Sequence, residues 1–370
     1  MKLKNLIFRE GVLFSLFCLM SMSVAIAQSK KYWNPLDASA VQGRLQQLNA
    51  VKDYGRLPVD AQSQVREPVW QLGANSAGLY VEFETDADTI QVRYKVKGGL
   101  NMPHMPSIGV SGVDLYSFDK LTKNWNWAFG QYTFKDTIAY NFNNIGVNTN
   151  HTYRLYLPLY NTVEWLEIGV GANKDFKFVT NVSKPIIVYG TSIAQGACAT
   201  RPGLAWTNIV GRSYANEIIN LAFSGNGRLE KPLLDLMIAE DAAAIILDCI
   251  PNLAITKSRS EIQLDSLITS AVQLVRAKHP SVPIILAEHS SANTPGFQNI
   301  HTMEEYSRSS KVTYASYQKL RKSGIKNLYF VSAKDFALDI ESTVDYAHPN
   351  DLGMMKIAEA YKKVLNKILI

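Results

Sequence analysis

The chain has 370 residues, 47% of them hydrophobic and 19% charged, a balance that excludes a disordered tail, a collagen and a multi-span membrane protein. Its formal net charge is +6. Lys2, Lys4, Arg9 and Glu10 supply +2 of that, and the +4 left on residues 28–370 is scattered without a basic run, which argues against a nucleic-acid partner.

Taken in chain order, residues 1–27 come first. Lys2, Lys4 and Arg9 make a basic start, residues 11–27 carry no charge, and Ala25 and Ala27 put small residues where a signal peptidase reads. This pattern predicts a cleavable leader over 1–27, with the mature protein periplasmic or secreted and free of a membrane span. Residues 79–84, 89–97, 107–118, 125–133, 152–157 and 162–170 are short runs rich in Val, Ile, Tyr, Trp and Thr, many alternating in polarity, which reads as a β-sandwich or jelly roll. A short helix is expected within 38–48.

The period changes at Lys184. Residues 185–189, 218–223, 243–247, 283–287 and 328–331 are apolar runs. Helical stretches lie between them at 204–215, 230–239, 258–278, 303–323 and 351–369. Apolar strands alternating with helices predict a parallel sheet covered on both faces. Ligands bind such sheets outside the carboxyl ends of the strands.

Four segments occupy those ends. Gly190-Thr191-Ser192 follows the first strand, Ser224-Gly225-Asn226-Gly227 the second and Asp248-Cys249-Ile250-Pro251-Asn252 the third. Asp345-Tyr346-Ala347-His348 precedes the last helix. Each reads singly as an ordinary turn. Together they offer a hydroxyl, a glycine amide, a side-chain amide, and an Asp spaced to orient a His.

In that order they resemble the SGNH (GDSL-type) hydrolase family, whose four blocks are matched by Ser192, Gly225, Asn252, and Asp345 with His348. The first block usually reads Gly-Asp-Ser and is Gly-Thr-Ser here. Gly112-Val113-Asp114-Leu115-Tyr116 resembles the Gly-x-Asp-Leu-Tyr β-domain that precedes the hydrolase domain in bacterial two-domain members similar to carbohydrate esterases. The resemblance implies an α/β fold: a flavodoxin-like three-layer α/β/α domain over 183–370, preceded by a jelly-roll-like β-sandwich over 28–182.

It further implies Ser192 as nucleophile, His348 as base and Asp345 as its orienting acid. The oxyanion donors would be the backbone N–H groups of Ser192 and Gly225 and the amide of Asn252. No metal or other cofactor is expected. Asp114 and Tyr116 are cleft candidates by resemblance alone.

Among the other histidines, His289 follows a strand and is expected to line the pocket or touch substrate. His104 and His151 fall in the β half, away from the strand-end loops. Arg201 is expected either to reach an anionic or hydroxylated substrate or to form a salt bridge. If the loops holding Cys198 and Cys249 border one cleft, the two sulfurs would pair; the alternative is two buried thiols. The expected activity is that of an exported serine esterase deacetylating carbohydrate. The alternatives are a lipase, arylesterase or thioesterase on small or lipid esters, and an inactive glycan-binding protein.

Overall fold

A computed structural model describes residues 29–146 and 151–369, so the predicted leader and Cys18 lie outside the described residues. The N-terminal half contains strands β1 (Lys30–Trp33), β2 (Val41–Gln42), β3 (Tyr80–Thr85), β4 (Ile90–Val96), β5 (Asp114–Asp119), β6 (Trp125–Ala128), β7 (Gln131–Thr133), β8 (Ile138–Phe142), β9 (His151–Tyr156), β10 (Val163–Gly171) and β11 (Phe176–Val179). Helix α1 (Glu67–Gly73) and the helical turn α2 (Ser107–Val110) interrupt them. The strands form two antiparallel sheets, ordered β1-β10-β4-β8-β7 and β11-β3-β9-β5-β6, with β2 paired to β3. Alternate residues turn inward, as the two-residue period of a strand requires. Val81 and Phe83 of one sheet therefore share a core with Val92, Tyr94 and Ile168 of the other.

Three local expectations change. The run 107–118 opens as helix, because Pro106 sets an extended N-cap and Gly109 packs beneath the Ala199 carbonyl; β5 begins only at Asp114. The helix expected in 38–48 is absent, since Val41 and Gln42 pair with β3 and leave only a 3-10 turn at Gln46–Leu48. Residues 125–133 divide into β6 and β7 of different sheets around Gly130, whose backbone lies against the Phe142 ring.

The C-terminal half holds β12 (Ile186–Gly190), β13 (Ile218–Ala222), β14 (Ala244–Asp248), β15 (Ile284–Ala287) and β16 (Leu328–Val331). They form one parallel sheet ordered β13-β12-β14-β15-β16. Its helices are α3 (Ser192–Gln195), α4 (Trp206–Gly211), α5 (Lys231–Ile238), α6 (Glu261–Lys278), α7 (Ile300–Lys322), α8 (Ala333–Phe336) and α9 (Asp351–Leu365). A capping box of Ser260 and Gln263 fixes the start of α6.

Ile187 and Tyr189 face one side of the sheet, against Leu233, Leu264, Ile268 and Leu320 of α5, α6 and α7. Ile186 and Val188 face the other, against Ile209, Val210, Ile357 and Tyr361 of α4 and α9. Burying each such side chain is worth about 1.5–3 kcal/mol, against ~0–1 kcal/mol for an exposed ion pair. The apolar runs, not the surface charges, therefore set the sheet.

The halves are intimately joined. Leu45, Leu48, Leu57, Ala61 and Val69 pack into the same core as Ile187. The buried Arg56 guanidinium donates to the Asn220 and Ala222 carbonyls of β13 at 3.0 and 2.7 Å and lies over the Phe223 ring. Burial holds Arg56 down at about 9.

The expected disulfide is absent, because Cys198 and Cys249 are both buried free thiols. They sit in different cores, Cys198 with Val188 and Cys249 with Tyr189, so the sheet separates them.

Candidate active site

Ser192 is the first residue of α3, directly after β12, with Thr191 as N-cap. A strand running straight into a short helix leaves its hydroxyl at the carboxyl edge of the sheet. Gly196, in the left-handed region at φ 109°, ends that helix after one turn.

His348 approaches from the turn before α9. Its Nε2 lies 2.7 Å from Ser192 Oγ, and its Nδ1 lies 2.7 Å from Asp345 Oδ2. A carboxylate only accepts, so Nδ1 carries the proton and Nε2 presents a lone pair to the hydroxyl. Burial works to raise the Asp345 carboxyl. The hydrogen bonds from the His348 amide and ring outweigh it and hold the acid below its ordinary value. The acid therefore stays ionised while the imidazole works.

The turn carrying both groups is strained and braced. Tyr346, between them, has φ 76°, a left-handed conformation a bulky residue rarely adopts. Its ring meets Phe297 edge-on at 4.0 Å and stacks on Tyr306 at 5.6 Å. Tyr306 in turn stacks on His289 at 3.7 Å. His289 is 2% exposed, and its Nδ1 accepts from the Ser291 N–H at 3.1 Å. Burial, reinforced by His348 whenever that ring is protonated, lowers it to about 3. It is thus a neutral, fixed ring behind the Asp345–His348 turn.

Gly225 and Asn252 stand on the neighbouring loops. Gly225 has φ 69°, and the space where a side chain would point is open. The Ser224 N–H donates to Gln195 Oε1 at 2.9 Å, which ties this loop to α3. The Gly227 N–H donates to Asn252 Oδ1 at 3.0 Å. With its oxygen so engaged, the Asn252 amide has its NH2 left as donor. A Cβ on Gly227 would collide with the Gly190 carbonyl, two residues ahead of Ser192, so only glycine lets the loops close this tightly.

Arg201 forms the salt bridge of the two alternatives. Its Nη1 donates to Asp114 Oδ2 and to the Tyr116 hydroxyl, both at 2.6 Å, and its guanidinium covers the Trp127 ring. Asp114 also accepts from the Gly203 N–H and the Trp127 indole. Burial raises the Asp114 carboxyl, with Arg201 opposing. Asp114 and Tyr116 thus clasp the halves together.

One residue was missed. His104, expected away from the site, has its ring 6.1 Å from that of His348. It lies on a loop closed by a bridge between Met102 and Met105. That loop and Val344 line an open cavity of about 840 Å³. No periodicity marks such a loop, and only the packing of the two halves brings it to the sheet edge.

Strand order, a serine at the first strand end hydrogen-bonded to the His of an Asp-x-x-His turn, and helices on both faces give the layout of a doubly wound hydrolase. Residues 183–366 match the GDSL-like lipase/acylhydrolase family, and residues 30–176 match the N-terminal domain of SGNH-hydrolase-type esterases. The chain belongs to this family of carboxylic ester hydrolases.

A Bacteroides ovatus ATCC 8483 protein assigned to the GDSL-like lipases is 32% identical, with a TM-score of 0.81 over 92% of this chain and 98% of that one. A salicylyl-acyltransferase from a tetracycline biosynthetic pathway shares the fold at 20% identity and a TM-score of 0.72, again over 92% and 98%. A family two carbohydrate esterase from Cellvibrio japonicus does so at 10% and 0.53, with the same coverage. A search of curated proteins found no match.

Proposed function

We propose that this chain is an exported serine esterase that removes acyl groups, chiefly acetyl, from carbohydrate through an acyl-enzyme. One observation carries the reading: the hydrogen-bonded series Ser192–His348–Asp345. A free serine hydroxyl is a poor nucleophile, and an adjacent oriented base makes it competent.

Ser192 Oγ attacks the ester carbonyl carbon as His348 Nε2 takes its proton. The oxyanion is met by the N–H groups of Ser192 and Gly225 and by the Asn252 NH2, each such donor being worth about 3 kcal/mol of barrier. His348 passes its proton to the leaving alcohol as the C–O bond breaks. It then takes a proton from the attacking water and returns it to Ser192 Oγ as the acyl C–O bond breaks, which frees the acid and restores the serine.

Carbohydrate as the alcohol is supported by the wall that the β half supplies, where Asn101, His104 and Ser107 sit among Met102, Pro103 and Pro106. A sugar ring, with hydroxyls at its edge and C–H groups on its faces, suits such a mixed surface. The same reading takes residues 1–27 as a leader, 28–182 as a jelly-roll-like sandwich and 183–370 as a three-layer catalytic domain, with the protein periplasmic or secreted.

The test is a screen of acyl length and glycan with the released acid measured. Acetate freed from an acetylated polysaccharide, with little acid from long-chain esters, is expected; activity that rises with chain length overturns the carbohydrate reading. Ser192→Ala is expected to lower p-nitrophenyl acetate turnover by at least about a hundredfold. The amino terminus of exported protein, expected at Gln28, checks the leader.

A further inference from the structure

The loops that carry Gly225 and Asn252 also carry positive charge that the esterase mechanism does not use. Arg228 directly follows Gly227, and its Nη2 donates to the Gly225 carbonyl at 3.2 Å. That contact brings a guanidinium to the loop holding the oxyanion donor. Arg259 lies on the next loop, and its Nη1 donates to the Ala254 carbonyl, two residues past Asn252, at 3.1 Å. The Gly227–Asn252 hydrogen bond joins the two loops that bear the guanidiniums.

Leu229, next to Arg228, sits in the left-handed region at φ 54°. Arg259 closes a turn by a bridge to Thr256, which places exposed Lys257 between them.

Among the described residues, neither guanidinium is ion-paired. The acids near them in sequence are engaged elsewhere, Glu230 by Arg66 at 2.5 Å and Glu261 by Arg308 at 2.6 Å. Arg259 is pushed below its ordinary value by burial first and by the charge of Arg228 second. Two like charges held together without an anion are repulsive, and an anion between them relieves that. The planar guanidinium fork suits carboxylate and sulfate oxygens.

We propose that Arg228 and Arg259, with Lys257, form an anion subsite that selects substrates whose sugar carries a carboxylate or sulfate beside the acylated position. This deepens the esterase reading and rests on it. The substrate class becomes acidic glycan, its charged group bound on the oxyanion side, across the cleft loops from Asp345 and His348.

Equilibrium binding to the Ser192→Ala protein tests the subsite without turnover. The probes are trigalacturonate for carboxylate, a sulfated galactose trisaccharide for sulfate, and neutral galactotriose. At about 50 mM ionic strength, where exposed charges are weakly screened, at least one charged probe is expected to bind roughly tenfold tighter than the neutral one. That preference is expected to shrink to about twofold or less in Ser192→Ala/Arg259→Gln, to survive in part with Arg259→Lys, and to fade at about 1 M salt. Whichever charged probe keeps the preference identifies the group. Equal affinity for all three probes, or no binding of either charged one, overturns the subsite. Wild-type hydrolysis of p-nitrophenyl acetate, run in parallel, shows separately whether the esterase reading holds.

Discussion

A single methyl group on Gly227 would strike the Gly190 carbonyl. Gly227→Ala must therefore push apart the loop of Gly225 and the end of β12, and kcat on p-nitrophenyl acetate is expected to fall about a hundredfold, in the range seen when one oxyanion donor is lost. On the proposed mechanism Asn252→Ala removes an oxyanion donor, and it is expected to lower kcat by about 10²–10³ with KM little changed, since such an interaction matures only in the transition state.

His289 makes a different prediction. Its folded value of about 3 lies below the ~6.5 of an unfolded histidine. The unfolded chain therefore takes up the proton first as pH falls. The stability from burying the neutral ring is complete above about pH 6.5 and is lost progressively towards pH 3, by on the order of 2 kcal/mol between pH 6.5 and 5. Denaturant unfolding across that interval should show the slope, and His289→Gln should flatten it.

At the scale of elements, the turn bearing Asp345 and His348 delivers acid and base as one unit, held at Tyr346 by the rings of Phe297, Tyr306 and His289. Removing the middle ring should loosen the base without touching substrate. Tyr306→Ala is expected to lower kcat about tenfold with KM nearly constant, and Tyr306→Phe to restore it, because the stacking face is kept.

The apolar runs and punctuating residues made the five parallel strands and the position of Ser192 readable in the sequence, because period and strand ends are local properties. The bracing of Tyr346 was not readable. Its partners stand on α7 and on the loop ahead of it, and no pattern within the turn points to them. The 107–118 segment failed in part for the same reason, since besides the Pro106 cap its helical start rests on the distant contact of Gly109 with Ala199. His104 reaches the site only because the β half docks where it does.

That docking governs the molecule as a whole. Arg201, Asp114 and Tyr116 form a nearly buried clasp, and Arg154 and Trp125 reinforce it by donating to the Gly211 and Arg212 carbonyls at 3.1 and 2.7 Å. Removing one partner of a buried pair leaves the other uncompensated. Asp114→Ala is therefore expected to cost about 3 kcal/mol in denaturant unfolding. It is also expected to impair turnover, because the wall bearing His104 belongs to the half it releases.

The sheet that keeps Cys198 and Cys249 apart also turns them into built-in reporters. Burial pushes Cys198 up to about 12 and Cys249 well above its ordinary value, so neither thiol reacts while its face of the sheet is closed. Alkylation at Cys198 would record the opening of the α4–α9 side, and alkylation at Cys249 the opening of the α5–α7 side. The order in which the two layers peel away could then be timed on the natural chain, with no introduced label.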